Sequence, residues 1–222
     1  GGCGNRSGLG DAARTLGGQV VAAPDDPAGH RVNDGRCGPQ GRFGVGTMNE
    51  KRDSDDAALY RLDDDFTLTR LFGNMTISNG LAWSPDRGTM YHSDTPARTI
   101  RAFDYDEATG TPSRERAFAH WNGATGRPDG GTVDSAGHYW AALYGDGKLA
   151  ELAPDGSIVA LHPLPAMCPT MGAFGGPDLR TLFVTTARQK RDDAELARLP
   201  QTGGIFSMRV DVPGIPEARF RG

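Results

Sequence analysis

The sequence predicts an all-β fold built from repeated small sheets, and three observations support this prediction. The chain of 222 residues contains 32 glycines and 15 prolines, and so many backbone breakers leave little room for long helices. Short apolar or alternating segments lie between turn residues, which is typical of strands. One pattern of turn and strand residues also recurs four times along the chain.

The repeat begins with a polar residue and glycine, continues through a short apolar stretch and a turn, and ends in an aromatic or β-branched strand. The four copies start at Asn33, Ser78, Pro128 and Gly172. Each copy is followed by further strand-like segments, which gives about four strands per copy. Four-stranded units that repeat every 40 to 50 residues or so are typical of β-propeller blades. The sequence therefore predicts about four blades.

The segments after each copy complete this prediction in chain order. They start at Ala58, Leu68, Thr99, Lys148, Ser157 and Gly203. The one predicted helix, DDAELARLP at residues 192–200, is short enough to be an excursion at the rim. Residues 1–29 fit the repeat poorly, although GGQVVAA at 17–23 is compatible with one strand. We expect residues 1–222 to form a single propeller domain, with 1–29 as an atypical remnant and 30–222 as recognisable repeats.

Charge and composition exclude several classes of partner. The net charge is −4 and there is no cluster of Lys and Arg, so nucleic acid is not an expected partner. No apolar run approaches the length of a membrane span, and the first residues lack the pattern of a signal peptide. The cysteines Cys3, Cys37 and Cys168 are far apart, which argues against a disulfide framework or a zinc cluster. We expect a cytoplasmic protein with no membrane partner.

Propeller geometry gives the repeat a functional direction. The innermost strand of each blade lines a central channel, so equivalent positions form a ring at its mouth. Aligned by repeat, these positions are Asp34, Asn79 and Asp129. Two carboxylates and an amide make an oxygen site suited to Ca²⁺, Mg²⁺, Mn²⁺ or, with fewer ligands, Zn²⁺. The alternative is that each Asx-Gly pair only forms a turn, which is weakened by three such pairs in register.

Other polar residues give weaker indications. The histidines His30, His92, His120, His138 and His162 show no HxxxH or HxH spacing. Surface or packing roles are therefore expected for them rather than metal ligation. The charged run KRDSDD at residues 51–56 predicts a solvated loop, although a loop beside a channel mouth can also act as a lid.

Three longer motifs show a family likeness: HRVNDGRCGPQGRFGVGTM, ISNGLAWSPDRGTMYHSDT and GRPDGGTVDSAGHYWAALYGDG. They resemble the sugar-lactone lactonases of the senescence marker protein, regucalcin and gluconolactonase family. The likeness continues through FGGPDLRTLFVTTAR and TGGIFSM, from about residue 30 to residue 210. The resemblance implies a six-bladed propeller that binds one divalent cation in its channel and hydrolyses gluconolactone-type sugar lactones.

The resemblance also implies roles for individual residues. Asn79 of the SNG motif and Asp129 of the PDG motif correspond to metal ligands, and Asp129 is also the expected general base. Arg31 and Asn33 of the R-x-N-D-G motif correspond to residues that contact the sugar lactone. Glu50 lies next to the position of an acidic substrate residue of the family. At the first blade the resemblance therefore assigns the site to Arg31 and Asn33, which are close to Asp34 in sequence, rather than to Asp34 itself.

One departure from the family pattern bears on activity. The family takes a third protein ligand from a Glu in an N-terminal G-E-[SG]-P-x-W motif, and no such motif occurs in this sequence. We therefore interpret the chain as truncated at its N-terminus, and we expect little activity from it alone. The alternatives are a non-catalytic propeller that binds calcium or a partner, an inactive lactonase fragment, and a relative of the paraoxonases or strictosidine synthase-like propellers.

Overall fold

The computed structural model describes residues 21–121 and 126–222, which form successive antiparallel sheets. The first sheet contains β1 (His30–Cys37), β2 (Phe43–Asn49), β3 (Ala57–Leu62) and β4 (Leu68–Met75). The second contains β5 (Ser78–Trp83), β6 (Thr89–Asp94), β7 (Thr99–Asp106) and β8 (Thr111–His120). The third contains β9 (Arg127–Val133), β10 (Tyr139–Tyr144), β11 (Lys148–Leu152) and β12 (Ile158–Pro163). The fourth contains β13 (Pro169–Gly175), β14 (Thr181–Thr186) and β15 (Ile205–Arg209).

The four sheets are arranged as the blades of a propeller. In each sheet the strands are hydrogen-bonded in chain order, so the first strand is at one edge. These first strands are neighbours in space, because β5 contacts both β1 and β9, and β9 contacts β13. The described residues therefore form an all-β, four-bladed, propeller-like arrangement, and the all-β prediction is confirmed.

Alternate residues of each strand pack against the two neighbouring blades. Met90 on β6 lies in the apolar cluster shared with blade one, whereas the next residue, Tyr91, lies in the cluster shared with blade three. Likewise, Tyr139 on β10 faces blade two, and Trp140 faces blade four. This alternation is the two-residue period of a strand buried on both faces. Packing between blades thus fixes the register that positions the channel residues.

The predicted helix is present as α1 (Asp193–Arg198), between β14 and β15. Asp192 caps it, since its side chain accepts a hydrogen bond from the backbone N–H of Glu195 at 2.7 Å. Most of the strand suggested at residues 17–23 lies outside the described residues, and 21–29 contain no strand. Within the described part of the chain, no helix is long and apolar enough to cross a lipid bilayer.

The fourth blade differs from the other three. It has three strands, and Leu182 and Val184 on one of its faces pack against blade three. The opposite face carries Phe183 and Ile205, which are 43% and 72% exposed. Among the described residues, no further blade covers this face. Blade four therefore has a partner on one side only.

The C-terminal segment, residues 210–222, returns from blade four across the other blades. The Ser135 N–H donates to the Pro213 carbonyl at 2.9 Å, and the Arg221 N–H donates to the Gly41 carbonyl at 3.2 Å. Ile215 packs against the apolar cluster between blades two and three. The segment therefore links blade three to blade one, at the end of β9 that is remote from Asp129.

Candidate active site in the channel

The candidate site lies where the innermost strands begin. Asn33 is near the start of β1, Asn79 is near the start of β5, and Asp129 is near the start of β9. Each of these strands has a register shift beside its site residue: after Val32, after Asn79, and opposite residues 141–143 in β9. Such bulges bend a strand and redirect its side chains. The repeat thus places a redirected polar residue at the same point in three blades.

Gly80 shows why the polar residue at this point precedes a glycine. Its φ is +60°, and a Cβ atom there would lie 2.3 Å from Ser93 Oγ and 2.4 Å from the Tyr139 hydroxyl. The Tyr139 hydroxyl donates to the Gly80 carbonyl at 2.7 Å. Any larger residue would separate blades two and three at the candidate site.

A chain of hydrogen bonds joins the three blades. Asn33 Nδ2 donates to Asn79 Oδ1 at 3.1 Å and to the Ser78 carbonyl at 2.9 Å. Asn79 Nδ2 donates to Thr95 Oγ1 at 2.8 Å. Thr95 Oγ1 in turn donates to the Pro128 carbonyl, also at 2.8 Å. The structure therefore links Asn33 and Asn79 directly, and it links Asn79 through Thr95 to the residue before Asp129.

We use the name channel cluster for Asn33, Asn79, Thr95 and Asp129. The backbone of Asp129 is held to blade two, because Ser93 Oγ donates to its carbonyl at 3.0 Å. Thr95 and Ser93 were not singled out from the sequence. Ser93 is on β6, the strand that pairs with β5, and Thr95 follows β6 directly. Only contact between blades links them to blade three.

Arg31 and Glu50 lie beside the channel cluster. Arg31 Nη1 donates to Asn33 Oδ1 at 3.2 Å and to the Val32 carbonyl at 2.9 Å. Its Nε lies 3.6 Å from Glu50 Oε1. Arg31, Asn33 and Glu50, the three residues predicted to contact substrate, are therefore connected to one another.

Two carboxyl groups of the predicted ring influence each other. Asp34 accepts hydrogen bonds from the N–H groups of Gly35 at 2.9 Å and Leu81 at 3.3 Å, but burial still raises its pKa. Burial, followed by repulsion from Asp34, raises the pKa of Asp129 to about 8. The two carboxyls are thus close enough to disfavour a second negative charge.

The loop between β2 and β3 approaches the same point. Its residues 51–56 are exposed. Asn49 Oδ1 accepts hydrogen bonds from the backbone N–H groups of Lys51 and Arg52, at 2.9 and 3.0 Å, and so holds the start of the loop in place. The guanidinium of Arg52 lowers the pKa of Asp129, against the larger effect of burial. Sequence reasoning identified the loop but gave Arg52 no role. Its charge is a feature of the channel mouth.

A buried imidazole contacts the residue that precedes Asn79 of the cluster. His92 Nε2 lies 2.8 Å from Ser78 Oγ, and the Phe72 ring packs edge-on against the imidazole at 5.3 Å. Burial, with a smaller effect of Arg101, lowers the pKa of His92 to about 3. The ring is therefore neutral at physiological pH, which agrees with the packing role expected from sequence.

The chemistry of the donors fits a hard divalent cation. Asn79 offers an amide oxygen and Asp129 a carboxylate, and Asp34 adds negative charge nearby. Oxygen donors of this kind suit Ca²⁺, Mg²⁺ and Mn²⁺. A cation would also relieve the repulsion that raises the pKa of Asp129. The residues present therefore fit the implied metal.

Comparison with known proteins gives a consistent result. A family model described as the SMP-30/gluconolactonase/LRE-like region matches residues 6–188. A 6-deoxy-6-sulfogluconolactonase from Pseudomonas putida is 44% identical over 96% of this chain and 73% of its own length. A pentonolactonase from Haloferax volcanii is 36% identical over 94% of this chain and 71% of its own length.

A solved structure shows the same fold. The calcium-binding protein regucalcin from Agrobacterium tumefaciens superposes with a TM-score of 0.83 at 34% identity. The match covers 87% of this chain and 65% of that chain. The chain thus spans between two thirds and three quarters of the length of the two lactonase relatives, and slightly less of this solved structure.

Proposed function

Since this chain belongs to the SMP-30/gluconolactonase/LRE-like family, we propose that its channel cluster hydrolyses a gluconolactone-type sugar lactone to the aldonic acid. One observation carries the proposal: polar side chains of three blades converge in the channel cluster. Asn33 donates to Asn79, and Asn79 is linked through Thr95 to the carbonyl of the residue before Asp129. Burial and repulsion from Asp34 also raise the pKa of Asp129. Perturbed carboxyls in a channel are typical of catalytic and metal sites. The relatives named as lactonases support the same enzyme class.

One divalent cation is part of this proposal, held by Asn79 and Asp129. When bound, it supplies Lewis-acid polarisation of the lactone carbonyl and lowers the pKa of water. Ca²⁺, Zn²⁺, Mg²⁺ and Mn²⁺ all accept the donors present. Thr95 keeps the Asn79 amide oriented, because its hydroxyl accepts a hydrogen bond from Nδ2. Oδ1, which accepts one hydrogen bond from Asn33, is then the atom of Asn79 that would bind the metal.

Asp129 acts as general base and then as general acid in the proposed reaction. Its carboxylate accepts a proton from the water that attacks the lactone carbonyl carbon. The bond between that carbon and the ring oxygen then breaks, and the ring oxygen takes the proton from Asp129 to become a hydroxyl. The product is the open-chain hydroxy acid. The same carboxyl thus acts first as the base and then as the acid.

Arg31, Asn33 and Glu50 position the sugar. Arg31 presents N–H donors, Asn33 presents its side-chain oxygen, and Glu50 presents a carboxylate acceptor beside Arg31. Together they match the alternating donors and acceptors of sugar hydroxyls and the ring oxygen. Their mutual contacts preorganise them before substrate binds.

We also propose that the complete ring has six blades and that residues 1–222 belong to one such domain. Four blades in 65% of the length of the solved regucalcin agree with this number. The exposed face of blade four, with Phe183 and Ile205, is where a next blade would pack. The cytoplasm remains the compartment that we propose for it.

The second candidate is a non-catalytic propeller that binds calcium or a partner. It is favoured by the solved relative described as a calcium-binding protein. In this case Asn79 and Asp129 would bind the cation without turnover.

The deciding experiment follows acid release from gluconolactone, and from its 6-deoxy-6-sulfo analogue, above the spontaneous rate. It compares the 222-residue chain with the same chain extended by the N-terminal segment of the Pseudomonas putida relative. We expect little activity from the first, and activity from the second that chelator removes and divalent metal restores. Asp129→Ala should abolish it, whereas Asp155→Asn in an exposed turn serves as the matched control. Metal binding without hydrolysis in both forms would favour the non-catalytic candidate.

A further inference from the structure

A second polar cluster lies within blade three, away from the channel. It consists of Asp134, His138, Glu151 and His162, and we call it the blade-three cluster. Asp134 follows β9, His138 precedes β10, and Glu151 and His162 are on β11 and β12. The mechanism proposed for the channel uses none of these residues.

The strand register brings this cluster together. Trp140 is paired with Glu151 across β10 and β11, and Glu151 is paired with Ala160 across β11 and β12. His138 and His162 each lie two residues from a member of this row, so they share its face. The face is the one that Trp140 turns toward blade four.

Three donor atoms are close enough to bind one ion. His138 Nδ1 lies 2.9 Å from Glu151 Oε1 and 3.4 Å from Asp134 Oδ2. The ligand atoms of these three residues all lie within 4.8 Å of one another. Neighbouring ligands at 2.0 to 2.1 Å from a tetrahedral Zn²⁺ are themselves about 3.3 Å apart. The two distances from His138 Nδ1 lie on either side of this value.

Charge also favours a cation at this point. Asp134 is fully buried, and the side chain of Glu151 is only 14% exposed. Within the described part of the chain, the ion pairs of these two carboxylates are all with imidazoles. The cluster thus contains two carboxyl groups, and no Lys or Arg among the described residues is paired with either. A divalent cation would balance them.

Outer contacts already orient the ligands. Trp140 Nε1 donates to Asp134 Oδ2 at 3.0 Å, and His162 Nε2 lies 3.1 Å from Glu151 Oε2. The Trp140 and His162 rings stack with centroids 5.0 Å apart. Hydrogen-bonded carboxylate ligands of this kind are usual around zinc. His138 and His162 are 23% and 26% exposed, so an ion can enter from solvent.

We propose that Asp134, His138 and Glu151 form a site for a borderline transition-metal cation such as Zn²⁺, with His162 and Trp140 as its outer partners. The imidazole nitrogen distinguishes it from the all-oxygen channel cluster, because nitrogen donors favour Zn²⁺ and Co²⁺ over Mg²⁺ and Ca²⁺. Asp134, directly after β9, lies five positions beyond Asp129, about 17 Å for extended strand, so the two sites are independent. A bound ion would tie β11, through Glu151, to the β9–β10 turn, and His162 of β12 would contact this ligand.

The experiment titrates the full 222-residue chain with Zn²⁺ by calorimetry, in excess Mg²⁺ to occupy oxygen sites. A parallel titration with Co²⁺ records the visible spectrum of a site with a nitrogen ligand. We expect one equivalent of Zn²⁺ to bind. His162→Gln should weaken binding roughly 10- to 100-fold as an outer partner, and His138→Gln and Glu151→Gln should weaken it further and remove the Co²⁺ bands.

The matched control is His120→Gln, which removes an exposed imidazole on blade two that contacts Thr99. It should bind Zn²⁺ as the parent does. Asp134 is left intact because its Oδ1 accepts the N–H groups of Ala136 and His138, so its loss would disturb the turn itself. Circular dichroism establishes that each variant is folded. The proposal is overturned if the folded parent binds no Zn²⁺, or if His138→Gln binds it with unchanged affinity and spectrum.

Discussion

The channel cluster and the blade-three cluster both gather polar side chains, but they are assembled in different ways. The channel cluster takes its members from three blades, and its hydrogen bonds cross from one blade to the next. The blade-three cluster lies within one sheet and its turn, and strand register alone brings it together. The first therefore depends on how blades pack, and the second depends on the pairing of three strands.

This difference has a chemical counterpart. The proposed metal ligands of the channel cluster are all oxygen atoms. The imidazole next to it, His92, is buried and neutral. The blade-three cluster turns two partly exposed imidazoles toward carboxylates. The two clusters should therefore respond differently to metal type, to pH and to substitution, and each response can be measured.

Among the variants that compare the two clusters, the largest effect is expected at Asn79. Asn79→Ala removes the proposed metal ligand and the hydrogen bonds to Asn33 and Thr95 together. Loss of an outer partner alone costs 10- to 100-fold in metal affinity or activity, so this change should cost at least about 100-fold in kcat/KM of the extended chain. Asn79→Asp, which keeps a side-chain oxygen, should retain part of the activity. Equal activity of Asn79→Ala and the parent would remove Asn79 from the site.

The same variant separates the two clusters. Asn79→Ala should leave the Co²⁺ spectrum assigned to the blade-three cluster unchanged, because the two clusters share no residue and no hydrogen bond among those described. Loss of that spectrum in a folded Asn79→Ala variant would mean that the two clusters are coupled or that the Co²⁺ is bound in the channel.

The next effect concerns stability against pH and depends on His92. Its pKa is about 3 in the folded state and 6.5 in its reference state. Between these values the unfolded chain binds one proton more, so stability is complete above about pH 6.5 and falls as the pH decreases. The slope from this group approaches about 1.4 kcal/mol per pH unit. Chemical denaturation from pH 7 to pH 4.5 should show a steeper loss for the parent than for His92→Gln.

The control for this measurement is again His120→Gln. The exposed His120 imidazole contacts Thr99 at the surface, and its removal should leave the slope of the parent in place. If His92→Gln and the parent lose stability at the same rate, the imidazole is not held neutral beneath the channel cluster.

A smaller effect is expected at Thr95, the link between blades two and three. Thr95→Val keeps the shape but removes the acceptor for Asn79 Nδ2 and the donor to the Pro128 carbonyl. Metal affinity of the channel, measured with Mn²⁺ or Ca²⁺, should fall about 10-fold. Thr95→Ser keeps the hydroxyl and should restore it. Failure of serine to restore affinity would indicate a packing role for the methyl group instead.

The sequence was sufficient to predict what the repeat period determines. The aligned repeats predict that Asn79 and Asp129 occupy equivalent positions of successive blades, and the structure puts both near the start of an innermost strand. Their role at a metal site stays a prediction. The capped helix was predictable because its signals are local. Those two assignments required no knowledge of contacts between distant segments.

The remaining features depend on contacts that the sequence does not reveal. Thr95 joins the channel cluster only because blade two packs on blade three, and no motif marks it. His138 and His162 lack any ligand spacing along the chain, and they meet only through the pairing of β10, β11 and β12. Sequence reasoning therefore treated both histidines as surface or packing residues.

The smallest effect is expected at Arg52, which tests whether charge at the channel mouth selects substrate. Its guanidinium acts on Asp129 from an exposed loop, so its attraction for an anionic group on a lactone is screened by solvent. Exposed ion pairs contribute at most about 1 kcal/mol, which corresponds to roughly five-fold. Arg52→Gln in the extended chain should reduce kcat/KM for a lactone with a sulfonate or carboxylate substituent by up to about this factor, with little change for neutral gluconolactone. The difference in selectivity between Arg52→Gln and the parent should shrink as ionic strength is raised.

Lys51→Gln, one position away in the same loop, is the matched control. If it changes selectivity as much as Arg52→Gln does, the effect belongs to the overall charge of the loop, and Arg52 has no specific role at the channel mouth.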